Sequence, residues 1–378
     1  MMIASRAAEN GAVPRFGRLI LPILIASRVF AGAAYGVESF PIEVKTANDN
    51  VKCFVCHDRP EMKEKLSDGR LKSYFVDPAE YRDSTHGKNP CTSCHKDITR
   101  APHAPGRKTV NCTGCHYMEN VYGAPASEAD IERYELYRKS VHKRALDNGN
   151  PDAPNCYDCH GSHDIIPPSR KESRINRRNI PRTCGRCHID EYATYKTSIH
   201  GEALENGIME AAVCTDCHGE HGTVEIKRKG STVSAVSTPE TCRQCHAEEK
   251  LMSRFNIKAT YYATYRESYH GKANRFGVEV VANCASCHGY HDIRPRNDPK
   301  SSIHPANLPA TCGKCHRGAN INYTRGRMHI EASDPSSGIV FWVALAFKIL
   351  TGATIAALVA HIALDLMRRL IVRGRNGR

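Results

Sequence analysis

No cysteine in this 378-residue sequence stands outside a single pattern, C-x-x-C-H, and no C-x-x-C-K string occurs. Nine copies, beginning at Cys53, Cys91, Cys112, Cys156, Cys184, Cys214, Cys242, Cys284 and Cys312, use all eighteen cysteines. None remains for a disulfide, a catalytic thiol or a separate zinc site. Aromatic residues are scarce at 7%, and the only tryptophan, Trp342, lies in a hydrophobic segment near the end. A chain of this length would ordinarily build two or three domains around apolar cores, and this one has little to build them with. No base-stacking or helix-turn-helix pattern accompanies the formal charge of +13, so no nucleic acid is expected as a partner.

What is present is chemistry repeated along the chain. Two cysteines, two residues apart and followed at once by histidine, form the attachment signature of a c-type haem. The thiols add to the haem vinyl groups and the adjacent imidazole becomes the proximal iron ligand. A zinc knuckle or a redox dithiol accounts for one C-x-x-C pair, not for nine out of nine followed by histidine. The sequence therefore predicts nine covalently attached haem c groups. Their attachment residues are Cys53, Cys56, Cys91, Cys94, Cys112, Cys115, Cys156, Cys159, Cys184, Cys187, Cys214, Cys217, Cys242, Cys245, Cys284, Cys287, Cys312 and Cys315. The proximal ligands are His57, His95, His116, His160, His188, His218, His246, His288 and His316. About 300 residues serve these cofactors, roughly 34 each, too few for conventional packing around every one. The haems are expected to supply much of the apolar core. Each adds two propionates against one ferric charge, so together they bring about −9, which the basic side chains largely balance.

From about residue 127 the chain repeats itself. Tyr137 to His142, Tyr195 to His200 and Tyr265 to His270 share the pattern Y-x-x-S-x-H. Each histidine precedes a cysteine by 14 positions, and each site so reached continues as C-x-x-C-H-G-x-H, giving His163, His221 and His291. A threonine-preceded site follows 28 positions later, at Cys184, Cys242 and Cys312. The predicted organisation is a trihaem segment at 37–126 and dihaem repeats at 127–190, 191–258 and 259–333. The segment Tyr81 to His116 is a shorter relative of these repeats. Helices are expected from Glu128 to Leu146 behind a Ser127 cap, from Glu191 to Leu204 and from Ala259 to Ala273. Asp77 and Pro78 mark another helix start. The tyrosines of the repeat are expected to pack rather than react. The fold class is mainly α with much irregular loop, haem-cored, with one C-terminal transmembrane helix.

Ten histidines remain beyond the nine proximal ones and His361 of the membrane segment. Five follow the helix motif: His86, His142, His200, His270 and, less perfectly, His329. Four follow a C-x-x-C-H site closely: His103, His163, His221 and His291. That supplies one distal ligand per iron, with His304 left over as an alternative to His329. A three-residue step cannot carry His291 from one face of its own haem to the other, so a neighbouring haem is its expected target. Nine six-coordinate, bis-histidine centres leave no iron face for substrate, and the absence of methionine ligation implies low potential.

The two ends concern a membrane. Residues 1–36 read as an export signal, with Arg15 and Arg18 before an apolar run and small residues at Ala31 to Ala34. Arg28 interrupts the run, which leaves an uncleaved anchor as the alternative. After a linker at 334–338, residues 339–367 read as a transmembrane helix, and the arginine-rich tail at 368–378 places the C-terminus in the cytoplasm. The haem part is then periplasmic and the protein single-pass in the inner membrane. Lys348 near mid-helix hints at a membrane partner, with snorkelling of a shifted helix as the alternative. His361 with Asp365 reads as an interfacial polar pair, the alternative being contact with a quinone or haem b of a partner.

The C-x-x-C-H-G-x-H sites at Cys156, Cys214 and Cys284, with the Y-x-x-S-x-H helices, resemble those of periplasmic low-potential multihaem cytochromes of anaerobic respiration. They look like those of the decahaem conduit and pentahaem electron-donor families, over roughly residues 50–330. The resemblance implies haem binding and electron transfer. The C-terminal helix differs from the N-terminal anchor of quinol-dehydrogenase cytochromes. It looks instead like a docking element for a cytochrome b-type or other quinone-reactive subunit, with periplasmic redox proteins at the other end. An electron-transfer subunit rather than an enzyme is expected. The rival is a multihaem reductase of nitrite, hydroxylamine or a sulfur oxyanion, although ammonia-forming nitrite reductases typically carry C-x-x-C-K. A scaffold within a respiratory complex is the third option.

Overall fold

The computed structural model describes residues 39–66, 69–103, 108–118, 126–326 and 328–376. The expected export signal at 1–36 lies outside the described residues. The chain is mainly helical with long irregular connections. Two small antiparallel ladders join Phe40–Pro41 to Arg100–Ala101 and Lys63–Lys65 to Leu71–Ser73.

Each of the three long helices expected from the sequence is two helices. Glu128–Lys139 ends before Val141–Asp147, Ile189–Lys196 before Ile199–Glu205, and Thr260–Glu267 before Tyr269–Arg275. The interruption falls on the motif serine. Ser140, Ser198 and Ser268 are extended, and their hydroxyls accept hydrogen bonds from the N–H groups of Lys143, Gly201 and Gly271, all at 3.1 Å. A serine that caps a new helix must leave the old one, because its backbone adopts non-helical angles. The expected start at Asp77 is present: its carboxylate accepts from Ala79 and Glu80 N–H ahead of the helix Pro78–Asp83.

The motif tyrosine does more than pack. The hydroxyls of Tyr81, Tyr137, Tyr195 and Tyr265 donate to the carbonyls of Asn89, Pro154, Ala212 and Ala282, each two residues before a C-x-x-C-H cysteine. Burial raises the Tyr137 and Tyr195 hydroxyls well above the usual phenol range and Tyr265 to about 12, so all three remain donors. The Y-x-x-S-x-H string is thus a clamp, a cap and a histidine, spaced to hang one helix on one cysteine loop.

Neighbouring repeats are tied by a recurring main-chain bond. Thr85, Val141 and Ile199, each directly before a motif histidine, donate their N–H to the carbonyls of Ile165, Thr223 and Ile293 at 2.7–2.8 Å. Those acceptors lie two residues past His163, His221 and His291. The threonines before Cys184, Cys242 and Cys312 donate to carbonyls nine residues back, at Arg174, Thr232 and Ser302. Such bonds matter because the ordinary core is small: Leu204, Ala211 and Val213, with Ile180, Ala203, Ile208 and Met209 against them. Ser198 is 1% exposed, and Ser198→Ala is expected to cost about 1 kcal/mol, lowering Tm by about 2–4 °C in a thermal melt.

The last helix runs from Ile339 to Asn376, 38 residues without a proline. At 1.5 Å per residue it extends about 57 Å, well past a hydrocarbon core of about 30 Å. The expected transmembrane segment and the first part of the arginine tail therefore form one rod. Asp365 pairs with Arg369 at 2.8 Å rather than with His361. Asp334 starts the turn Pro335–Ser337 that leads into the rod.

Candidate haem sites

A single helical turn puts residues i, i+3 and i+4 on one face, which is the spacing of C-x-x-C-H. Cys156–His160, Cys214–His218 and Cys284–His288 are such turns. Side chains inside each string tighten it: Asp158, Asp216 and Ser286 accept from the N–H groups of Asn155, Val213 and Asn283. Gly161, Gly219 and Gly289 then turn the chain with φ of 91°, 77° and 87° and ψ near 180°. Only glycine adopts that region readily, and the turn throws the next histidine away from its own site.

Where those histidines arrive is the central observation. Every proximal ring faces one further histidine ring, at centroid separations of 5.9–6.4 Å. The pairs are His57 with His103, His95 with His163, His116 with His86, and His160 with His221. They continue as His188 with His142, His218 with His291, His246 with His200, His288 with His329, and His316 with His270. Two imidazoles bound axially to one metal, each nitrogen about 2 Å from it, have ring centroids about 6 Å apart. The residues present fit an iron held on both faces. His304 joins no pair; its Nδ1 accepts from Ala306 N–H at 3.3 Å and closes its own turn.

The pairing follows a rule, of which the fixed spacing suggests only the helix half. A helix-borne histidine meets the second site of its own repeat, 46 positions on in all three copies (His142 to His188, His200 to His246, His270 to His316). A loop histidine reaches back to the first site of the preceding unit. His291 lies beside His218 at 6.1 Å, not over its own Cys284 site. His329 takes the loop role for His288 at 6.4 Å, although its sequence reads as a helix motif.

All eighteen of these rings line one continuous cavity of about 4250 Å³. That is about 470 Å³ per C-x-x-C-H site, within the range of about 300–1,000 Å³ for a small-molecule pocket. Burial pushes His200 and His288 down to about 4, and lowers His95, His160, His163 and His246 as well. Those rings are neutral at physiological pH, the form a metal requires. His57 donates from Nδ1 to the Tyr74 carbonyl at 2.8 Å, which leaves Nε2 for a ligand. Among the described residues no cluster of three or more histidine, cysteine or acidic side chains forms a separate metal site.

The cysteines show how the sites follow one another. The thiols of Cys53, Cys112, Cys184 and Cys242 are each perturbed first by a thiol of the next site, Cys91, Cys156, Cys214 and Cys284. The intervening junctions are longer-range electrostatic neighbours: Cys94 with Cys115, Cys159 with Cys184, Cys217 with Cys242, and Cys287 with Cys312. Sites adjacent in sequence are adjacent in space from Cys53 to Cys312.

Among known proteins, a family profile described as a doubled CXXCH motif matches residues 207–251, which contain the sites at Cys214 and Cys242. The chain is also similar to the cytochrome c nitrite reductase subunit NrfA of Nitratidesulfovibrio vulgaris, at 24% identity over 238 residues. That match covers 60% of this chain but only 39% of the relative, so the chain spans about two-fifths of the protein it resembles. No solved structure matches. The repeated C-x-x-C-H strings, their facing histidines and these two likenesses together indicate a multihaem c-type cytochrome, one that binds haem c covalently and transfers electrons.

Proposed function

We propose that the chain is a membrane-anchored nonahaem cytochrome that relays electrons between a quinone-reactive membrane subunit and periplasmic acceptors in anaerobic respiration. The observation that carries this reading is the second histidine ring 5.9–6.4 Å from every proximal ring. Bound haem iron supplies one-electron chemistry by cycling between its ferric and ferrous states. The two histidines of each pair would hold the iron between them, leaving no place for substrate on it, and the chain would set the order of the sites. The unbroken succession from Cys53 to Cys312 supports a relay with one end at the N-terminal segment and the other beside the anchor. The helix Ile339–Asn376 is long and apolar enough to cross a membrane, and its arginines support a cytoplasmic C-terminus.

The likeness to a nitrite reductase subunit favours a second reading, a reductase of nitrite, hydroxylamine or a sulfur oxyanion. Low-temperature EPR of the oxidised, detergent-purified chain separates the two. The relay is expected to give wholly low-spin ferric spectra, with nine haems per chain by pyridine haemochrome assay. A high-spin ferric signal that shifts on adding nitrite would replace it with the reductase.

A further inference from the structure

His329 is the one histidine in the nine ring pairs that combines a helix-type motif with a loop-type role. From Tyr323 the string to His329 is one residue longer than the other copies and contains no serine. No helix carries His329; it lies between the short turns Tyr323–Arg325 and Pro335–Ser337. Its ring must be held by something else.

The neighbouring helix Thr260–Glu267 supplies the hold. Thr264 Oγ1 donates to the Tyr261 carbonyl at 2.9 Å, so an oxygen lone pair is left for His329 Nδ1 at 3.0 Å. The Tyr261 ring stands 5.0 Å from the His329 ring. With its own proton engaged by the Tyr261 carbonyl, the Thr264 oxygen accepts from Nδ1–H, the tautomer that leaves Nε2 its lone pair. The equivalent position in the preceding repeat, Thr194, bonds only its own helix at Asp190. The arm beyond His329 is fastened to the same helix start: Lys258 pairs with Asp334 at 2.8 Å, and Thr260 contacts Glu331.

We propose that Thr264 is a positioning residue for His329, fixing its tautomer and aiming Nε2 across the site at His288. This rests on reading His329 as the distal ligand there. A ligating imidazole whose Nδ1–H has an acceptor is a stronger donor to the metal, and hydrogen bonding around the ligands tunes haem potential. Thr264 would thus set the potential of the site closed by the arm that runs into the membrane helix.

The test uses the full chain in detergent, comparing Thr264→Val with Thr264→Ser by redox titration and low-temperature EPR. The valine variant is expected to raise one of the nine midpoint potentials and shift one low-spin signal, while serine restores both. Identical behaviour of valine and serine, or an unchanged valine variant, overturns the proposal. His329→Ala separates this from the underlying reading. A new high-spin signal in His329→Ala alongside an unaffected Thr264→Val removes only the role of Thr264. Wholly low-spin spectra in His329→Ala remove the ligand assignment, and the proposal with it.

Discussion

Replacing His291 with alanine is expected to open the iron face at the Cys214 site, although the substitution lies three residues beyond the histidine of the Cys284 site. The ring of His291 stands 6.1 Å from His218, and the Gly289 turn directs it there. Loss of one axial imidazole converts a low-spin ferric centre into one that is open to water or added ligand, so EPR should gain one high-spin signal. Its address is checked by a second deletion. Combined with Cys214→Ala and Cys217→Ala, the high-spin signal should vanish, since no haem is left for it to report. Combined with Cys284→Ala and Cys287→Ala, it should persist. The opposite pattern would place His291 over its own site and undo the cross-ligated reading. Should the alanine variants accumulate poorly, His291→Met keeps a ligand and is expected to raise the potential of one haem.

Alanine at Gly289 should be costly, because the turn there requires a backbone conformation that side chains rarely adopt. At φ 87° and ψ 179° the residue occupies a region that is essentially glycine-only, which costs about 1–3 kcal/mol for another residue. Its Cβ would also press on the Asp292 carboxylate. The backbone must move, and the loop from 289 to 293 carries both His291 and the carbonyl that accepts from Ile199 N–H. Gly289→Ala is therefore expected to lower Tm by several degrees and to yield a mixture of low- and high-spin centres. Ala285→Gly, a similar change in size within the same turn, should leave the spectra intact. A Gly289→Ala protein with unaltered melting and spectra would show that the turn does not set the histidine.

Much of this was legible before any coordinates. The C-x-x-C-H strings put three side chains within one turn of each other, and the equal spacing of His142, His200 and His270 from their cysteines announced a repeat. Counting nine spare histidines against nine sites named the same rings that stand in pairs. The partners within those pairs were harder, because a loop histidine crosses to another unit and such contacts leave no periodic trace. The broken helices were missed for a related reason. Ser140 and its equivalents sit inside an apolar period that reads as continuous, and their capping role shows only once the N–H they accept from is placed. Thr264 gave no signal at all, since its partner is 65 residues away.

The backward reach of the loop histidines also bears on how the protein is made. On the proposed ligand scheme each unit is completed by the one that follows it, so a chain emerging from its N-terminus holds an unfinished centre until the next segment arrives. Only His329, ten residues ahead of the long apolar helix, closes the series. On that scheme the Cys284 site waits for a residue close to the start of the apolar helix, so the cofactor row would close only after nearly all of the chain ahead of that helix has emerged.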